Sequence, residues 1–325
     1  MEKYLKYSIV FLVLVFAGYG VITGLTGALP VILSANPYFF AMAVLFFLLS
    51  IVLWIIPWAL LLKNNKKVTF WNSIIVGFSC VYGALTPVQV GSEALRSIKA
   101  KEHFGVSYSQ SISAAMVVKG LKFFMLTVLS SLVVWVVLLE TQLSIVALFG
   151  LLSGFSVIIL ASALFLLPLN KKIGLMISAI FGELGKIWRG FLVLKKYFYE
   201  YSNYLQVVPK KNFLKVLVLS GASLLFEFFA LYYCFFALSV PIELFPLAFL
   251  FIIISILERT PVLPRGVGLV EAAGFIFLAM PEFSQISLNL SQIAAILILF
   301  GVVRLFIPTI LSLLTTQIKI KPNKK

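Results

Sequence analysis

The chain has 325 residues, of which 62% are hydrophobic and 11% charged. A soluble domain carries about 25% charged residues, so water alone could not solvate such a surface. No stretch of mixed composition is long enough for a separate soluble catalytic domain. The net charge of +15 does not mark a nucleic-acid binder, because the basic residues sit in short loops between apolar runs. There, excess Lys and Arg mark cytoplasmic loops and attract anionic headgroups. All 11 acids are Glu, which removes the usual carboxylate of tight metal and phosphate-transfer sites. His103 is the only histidine, so a His-cluster metal site is excluded, and no cofactor is expected. Cys80 and Cys234 lie in apolar runs and are expected to be buried thiols.

A spanning helix needs about 20 apolar residues. The first apolar run, about 7–29, is too long for the roughly 7–15 residues of a signal-peptide core and reads as an uncleaved helix. Further spans follow at about 38–62, 107–139, 143–168, 213–238 and 288–316, six in all. Two other apolar segments, about 69–86 and 244–262, run into turns rich in proline and glycine. These read Thr86-Pro87-Val88-Gln89-Val90-Gly91-Ser92-Glu93 and Thr260-Pro261-Val262-Leu263-Pro264-Arg265-Gly266-Val267-Gly268.

Counted as ordinary spans, the two segments would put the loop with Arg96, Lys99 and Lys101 outside. Counted as re-entrant hairpins, they leave the outer loops (about 30–37, 140–142, 239–243 and 280–287) with no Lys or Arg. The cytoplasm then receives both termini, Lys63, Lys66, Lys67, Lys171, Lys172, Lys210, Lys211 and the Lys319–Lys325 tail, in agreement with the positive-inside rule. Non-helical backbone at membrane depth must be surrounded by protein or line a cavity, so the hairpin tips should face an interior site.

The order span, span, hairpin, span then occurs twice from opposite faces, an inverted repeat with halves at 1–140 and 141–325 within one membrane domain. Residues 107–132 align without gaps on 289–314. Ser109-Gln110 falls on Ser291-Gln292, Lys122 on Arg304, Phe124 on Phe306, Thr127 on Thr309 and Ser130 on Ser312. Between about 173 and 212 lies a basic cytoplasmic segment. Within it Ile177, Ile180, Phe181, Leu184, Ile187, Trp188 and Phe191 fall at helical spacing, opposite Lys186, Arg189, Lys195 and Lys196. That pattern predicts one amphipathic helix over about 174–200, lying in the inner interface.

Charges within the apolar runs are expensive and face protein, a partner or a pathway. They are Glu93, Arg96, Lys119, Lys122, Glu227, Glu258, Arg259, Arg265, Glu271 and Arg304. One reading has Glu and Lys/Arg pairing to hold hairpins against spans. The other adds a polar cavity for an anionic headgroup, bound by half-helix N-termini at the tips, by Gly266 and Gly268 through close backbone approach, and by Arg259, Arg265 and Arg304. The candidate lipid-binding residues are Glu93, Arg96, Lys122, Arg259, Arg265, Gly266, Gly268, Glu271 and Arg304.

With Pro87, Gly91, Glu93 and Arg96 in the first turn, and Pro264-Arg265-Gly266-Val267-Gly268-Leu269-Val270-Glu271 in the second, the chain resembles the lysylphosphatidylglycerol synthase transmembrane (flippase-like) family. Arg265 stands where the family pattern has Gly, and Ser92 separates Gly91 from Glu93. The resemblance implies lipid translocation. The soluble aminoacyl-transferase domain of large members does not follow here, so lipid handling without enzymatic synthesis is expected. No phosphate-binding loop ending in Lys-Ser/Thr is present, which argues against direct ATP drive. The alternatives are a small-anion secondary transporter, an intramembrane lipid- or polyprenyl-modifying enzyme, and an accessory subunit. Expected partners are anionic membrane lipids, with a second copy of the chain or a lipid-modifying enzyme as further options.

Overall fold

A computed structural model describes residues 27–62, 68–85, 91–140, 145–259, 264–279 and 288–318. Among them the fold is all-α, with no strand. Most of the first expected span, both proline turns at 86–90 and 260–263, and the loop at 280–287 lie outside the described residues.

Among the described residues, five helices are long and apolar enough to cross a membrane: Pro37–Leu62, Tyr108–Val136, Leu152–Leu169, Lys211–Ala237 and Leu290–Thr315. They fall on five of the six predicted spans. The outward faces carry Leu132, Trp135, Leu139 and Leu160, each more than half exposed. So large an apolar surface is stable only against lipid.

Helix α1 (Pro37–Leu62) begins with Pro at its first position, where a missing N–H costs nothing, and Asn36 Oδ1 accepts the Tyr38 N–H at 3.0 Å. α1 packs along α8 (Lys210–Ala237) more extensively than any other pair. The Asn36 N–H donates to the Ala237 carbonyl at 2.7 Å, so the two run antiparallel. Phe46 stacks on Tyr233 at 5.2 Å and tilts against Phe226 and Phe229, filling the seam.

Between α1 and α4 (Tyr108–Glu140) the chain makes a hairpin. Its parts are α2 (Phe70–Phe78), a 3-10 turn at Val81–Leu85 and α3 (Gly91–Phe104). Trp58, in the last turn of α1, donates Nε1–H to the carbonyl of Ser111 at the start of α4. The chain therefore leaves one end of the bundle and returns to it.

The second hairpin consists of α9 (Leu244–Glu258), a 3-10 turn at Pro264–Gly266 and α10 (Leu269–Ala279), and α9 packs on α10. It lies between α8 and α11 (Leu290–Thr315). Phe47, ten residues into α1, meets Phe300, ten residues into α11, at 6.5 Å. These two helices thus start at one end, the end where α8 finishes. The second hairpin leaves and rejoins that end, opposite to the first. The two 3-10 turns touch each other inside the bundle.

Crossed packing locks this arrangement. The first hairpin packs on α11: Ser312 Oγ donates to the Phe78 carbonyl at 2.8 Å and accepts the Tyr82 N–H at 3.0 Å. The second packs on α4. The aligned starts of α4 and α11 carry the same cap. Ser107 Oγ accepts the Gln110 N–H, and Asn289 Oδ1 accepts the Gln292 N–H. In α11 the helix widens to a π turn over Val302–Phe306, around Arg304.

The single interfacial helix predicted over 174–200 is instead two helices, α6 (Lys171–Leu184) and α7 (Gly190–Val207), packed on each other. The helical period runs through the break because Phe181 stacks on both Phe191 and Phe198, at 6.0 and 5.2 Å, across the pair. Gly185 sits at the turn, where a Cβ would collide with Leu192 Cδ2. Tyr201 and Tyr204 donate to the carbonyls of Phe165 and Leu61, tying α7 to the ends of α5 (Ile145–Leu166) and α1. Burial pushes both phenols up, which keeps them protonated donors. Ile187 and Trp188 project from the turn, 84% and 66% exposed, beside Lys186 and Arg189.

Candidate functional site

The hairpin tips meet at a cavity of roughly 80 Å³. α1 supplies Phe47, Ile51 and Trp54; the first hairpin supplies Val81, Ala84, Ser92 and Glu93; α4 supplies Lys119, Lys122 and Phe123. Glu227 comes from α8, and Glu258, Arg259 and Arg265 from the second tip. α9 has 15 residues, and at ~1.5 Å per residue it carries Arg259 ~22 Å into the bundle.

Ion pairs organise this lining. Glu227 accepts from Lys122 Nζ through Oε1 at 2.6 Å and from Arg259 Nη2 through Oε2 at 3.1 Å. Lys122 also donates to Ser223 Oγ at 3.1 Å, and Ser223 is anchored on the Ser50 carbonyl at 3.0 Å. Arg259 keeps a second bond, Nη1 to the Ser255 carbonyl, at 2.7 Å. Arg265 Nε lies 3.4 Å from Glu258 Oε1, and Lys119 Nζ lies 3.5 Å from Glu93 Oε1. Charges at this depth are tolerable only when paired. Four cations against three carboxylates leave the described lining with one net positive charge.

Of the candidates read from the sequence, Glu93, Lys122, Arg259 and Arg265 line the cavity. The others stand behind it. Arg304 is fully buried, donating Nη2–H to Glu271 Oε1 at 2.7 Å and Nη1–H to the Arg265 carbonyl at 2.8 Å. Arg265 returns the exchange, Nη1 to the Arg304 carbonyl at 2.7 Å. Glu271 Oε2 accepts the Gly268 N–H at 2.7 Å, so the N-terminus of α10 already has an anion, supplied by its own first turn. Gly266 and Gly268 have φ of +65° and +81° and serve the turn's shape. Arg265, where the family pattern has Gly, holds φ +49°, a left-handed value that favours Gly. Its bonds to Glu258 and Arg304 offset that strain.

Arg96 lies on α3 beneath the lining, its guanidinium 3.9 Å from the centre of the Trp54 ring and 5.2 Å from that of Trp58. Its Nε and Nη2 are buried and have no hydrogen-bond partner among the described residues. Lys119, Glu227 and Glu258, recognisable in the sequence only as charges in apolar runs, prove to be cavity residues. Trp54 and Ser92 join them without any such signal.

Five apolar helices long enough to span, two opposed helical hairpins and a charged cavity at their tips define a multi-pass membrane protein. The family described as lysylphosphatidylglycerol synthase TM region matches residues 5–312. The chain belongs to that family, which places it among membrane proteins of lipid modification or transport. No curated protein and no solved structure matches it.

Proposed function

We propose that the protein carries an anionic or modified polar lipid across the cytoplasmic membrane, without direct use of ATP and without catalysing a covalent reaction. The meeting of both hairpin tips at one charged cavity is the observation that carries this reading. In it, the hairpins are re-entrant and the cavity lies near mid-membrane. Basic residues at the α1–α2 and α5–α8 ends support a cytoplasmic side for those ends and, in this reading, for both termini. A headgroup enters the cavity while acyl chains stay in lipid along the exposed Leu and Trp faces. The cation excess favours a phosphodiester, and Trp54, Phe47 and Phe123 give the glycerol and first methylenes an apolar wall.

Proteoliposomes with headgroup-labelled phosphatidylglycerol test this by dithionite quenching. Wild-type protein is expected to exchange the label between leaflets, and a Lys122→Gln/Arg259→Gln variant to be at least about tenfold slower, having lost both cations paired with Glu227 and with them the positive charge of the cavity. The reading fails if wild-type vesicles exchange lipid no faster than the variant or than empty vesicles. Uptake of soluble phosphate with no lipid exchange would favour a small-anion transporter instead.

A further inference from the structure

We infer that Glu227 is an exchangeable counter-ion, holding Arg259 ready and releasing it to the phosphodiester of an incoming ligand while Lys122 continues to neutralise the carboxylate. The inference rests on the transport reading and names the step by which that cavity receives its ligand.

The two cations on Glu227 are bound to different oxygens, so one can leave without disturbing the other. Lys122 is the fixed one. Its bond is shorter, 2.6 Å against 3.1 Å, and Ser223 and the Ser50 carbonyl brace it from behind. Arg259 is the transferable one. It caps the C-terminal end of α9 at the tip, and its Nη1 bond to Ser255 keeps the guanidinium oriented when Nη2 changes partner.

Arg265, by contrast, is committed to Glu258 and the Arg304 carbonyl. Charge balance agrees. Four cations and three carboxylates leave one positive charge, which one phosphodiester cancels. Both states keep every charge paired, so the exchange avoids stranding an ion in a low-dielectric site. A carboxylate and a phosphodiester present a similar pair of acceptor oxygens to a guanidinium.

The test is calorimetric titration of purified full-length protein in detergent with dihexanoyl phosphatidylglycerol, glycerophosphoglycerol and inorganic phosphate as separate probes. Glu227→Gln, which frees both cations, is expected to tighten binding of the short-chain lipid at least about tenfold. Lys122→Gln is expected to weaken binding, because Glu227 then depends on Arg259 alone, and Arg259→Gln to abolish it. A structural role predicts the reverse for Glu227→Gln, a loss of affinity along with a loss of packing.

If Glu227→Gln cannot be purified, Lys122→Met/Glu227→Met removes the fixed pair together and leaves Arg259 free, with tight binding again expected. The inference is overturned if a monodisperse Glu227→Gln protein binds no more tightly than wild type. It is equally overturned if Arg259→Gln binds as wild type does, whatever the fate of the Glu227 variants. Tightened binding of inorganic phosphate but of neither lipid-derived probe would uphold the exchange and overturn the lipid reading. Absence of lipid exchange by wild-type vesicles would also strike only that reading.

Discussion

Removing the Arg304 guanidinium should loosen the second hairpin tip far more than it disturbs the rest of the bundle. In Arg304→Met the charge-assisted bond to Glu271 and the bond to the Arg265 carbonyl are lost together. Breaking one partner from a buried pair costs ~3–5 kcal/mol. Glu271 is 23% exposed and keeps the Gly268 N–H, so water relieves part of that penalty. The orphaned Arg265 carbonyl adds ~1–3 kcal/mol. A net loss of ~3 kcal/mol at the tip follows, or about a hundredfold in a local opening equilibrium.

Hydrogen–deuterium exchange in detergent reads this directly. Amides of 264–279 should exchange about a hundredfold faster, while those of α1 and α8 stay near wild type. Arg304→Lys, with a point charge that cannot serve both acceptors, should fall between. Arg304→Met/Glu271→Met should recover part of the loss, exposing the pair's coupling. Unchanged protection at 264–279 in a folded Arg304→Met protein would refute the view that Arg304 locks the tip and return it to the list of ligand contacts.

Three further outcomes follow. Gly266→Ala should destabilise by ~2 kcal/mol or more, because its φ of +65° is left-handed and a Cβ would stand 2.8 Å from the Leu257 carbonyl oxygen; Gly268→Ala, at φ +81° in open space, should cost only ~1 kcal/mol, as thermal unfolding of the two variants can show. Trp188 should be quenched by lipids brominated near the headgroup, and more strongly with anionic lipid present, since it projects beside Lys186 and Arg189; equal quenching by tail-brominated and head-brominated lipids would contradict an interfacial depth. In an otherwise cysteine-free chain, Lys99→Cys and Lys186→Cys should both react with an impermeant maleimide from the cytoplasmic side only, and Tyr38→Cys from the other; labelling of 99 and 38 from the same side would dismantle the two-hairpin topology.

Much of this architecture was legible because a bilayer imposes simple rules on sequence. Length and hydropathy marked the five helices that are long and apolar enough to span, and the absence of Lys and Arg from four loops is what reads the two shorter apolar segments as re-entrant. Periodicity failed at 174–200 for a definite reason. Phe181, Phe191 and Phe198 face a shared seam between two helices, so the 3.6-residue repeat survives the reversal of chain direction between them. At the site, burial of charge could be anticipated but partnership could not. Which carboxylate meets which cation depends on packing across helices more than a hundred residues apart, as Lys122 and Glu227 show.

The aligned positions 122 and 304 sharpen that point. Each places a cation on a helix that begins with the same cap, and sequence comparison assigns them one role. In the bundle they have two. Lys122 stands in the wall of the cavity and shares Glu227 with Arg259. Arg304 turns away from it, because the π turn at 302–306 and the Arg265 carbonyl capture its guanidinium.

The difference is consistent with the chemistry of the two side chains. A guanidinium has the rigid fork needed to bridge a carboxylate and a carbonyl in a fixed turn, whereas an ammonium is a point charge that occupies one oxygen of Glu227 and leaves the other to Arg259. One tip is thereby clamped, and the cavity beside it keeps its cations on carboxylates that can be outcompeted. Swapping the residues, as Lys122→Arg with Arg304→Lys, should therefore impair both jobs at once. Protection of 264–279 should fall, and the guanidinium introduced at position 122 should compete with Arg259 for the second oxygen of Glu227 and so alter lipid flux. If the swapped protein kept wild-type protection and wild-type lipid flux, the side-chain chemistry would not be what separates the two positions.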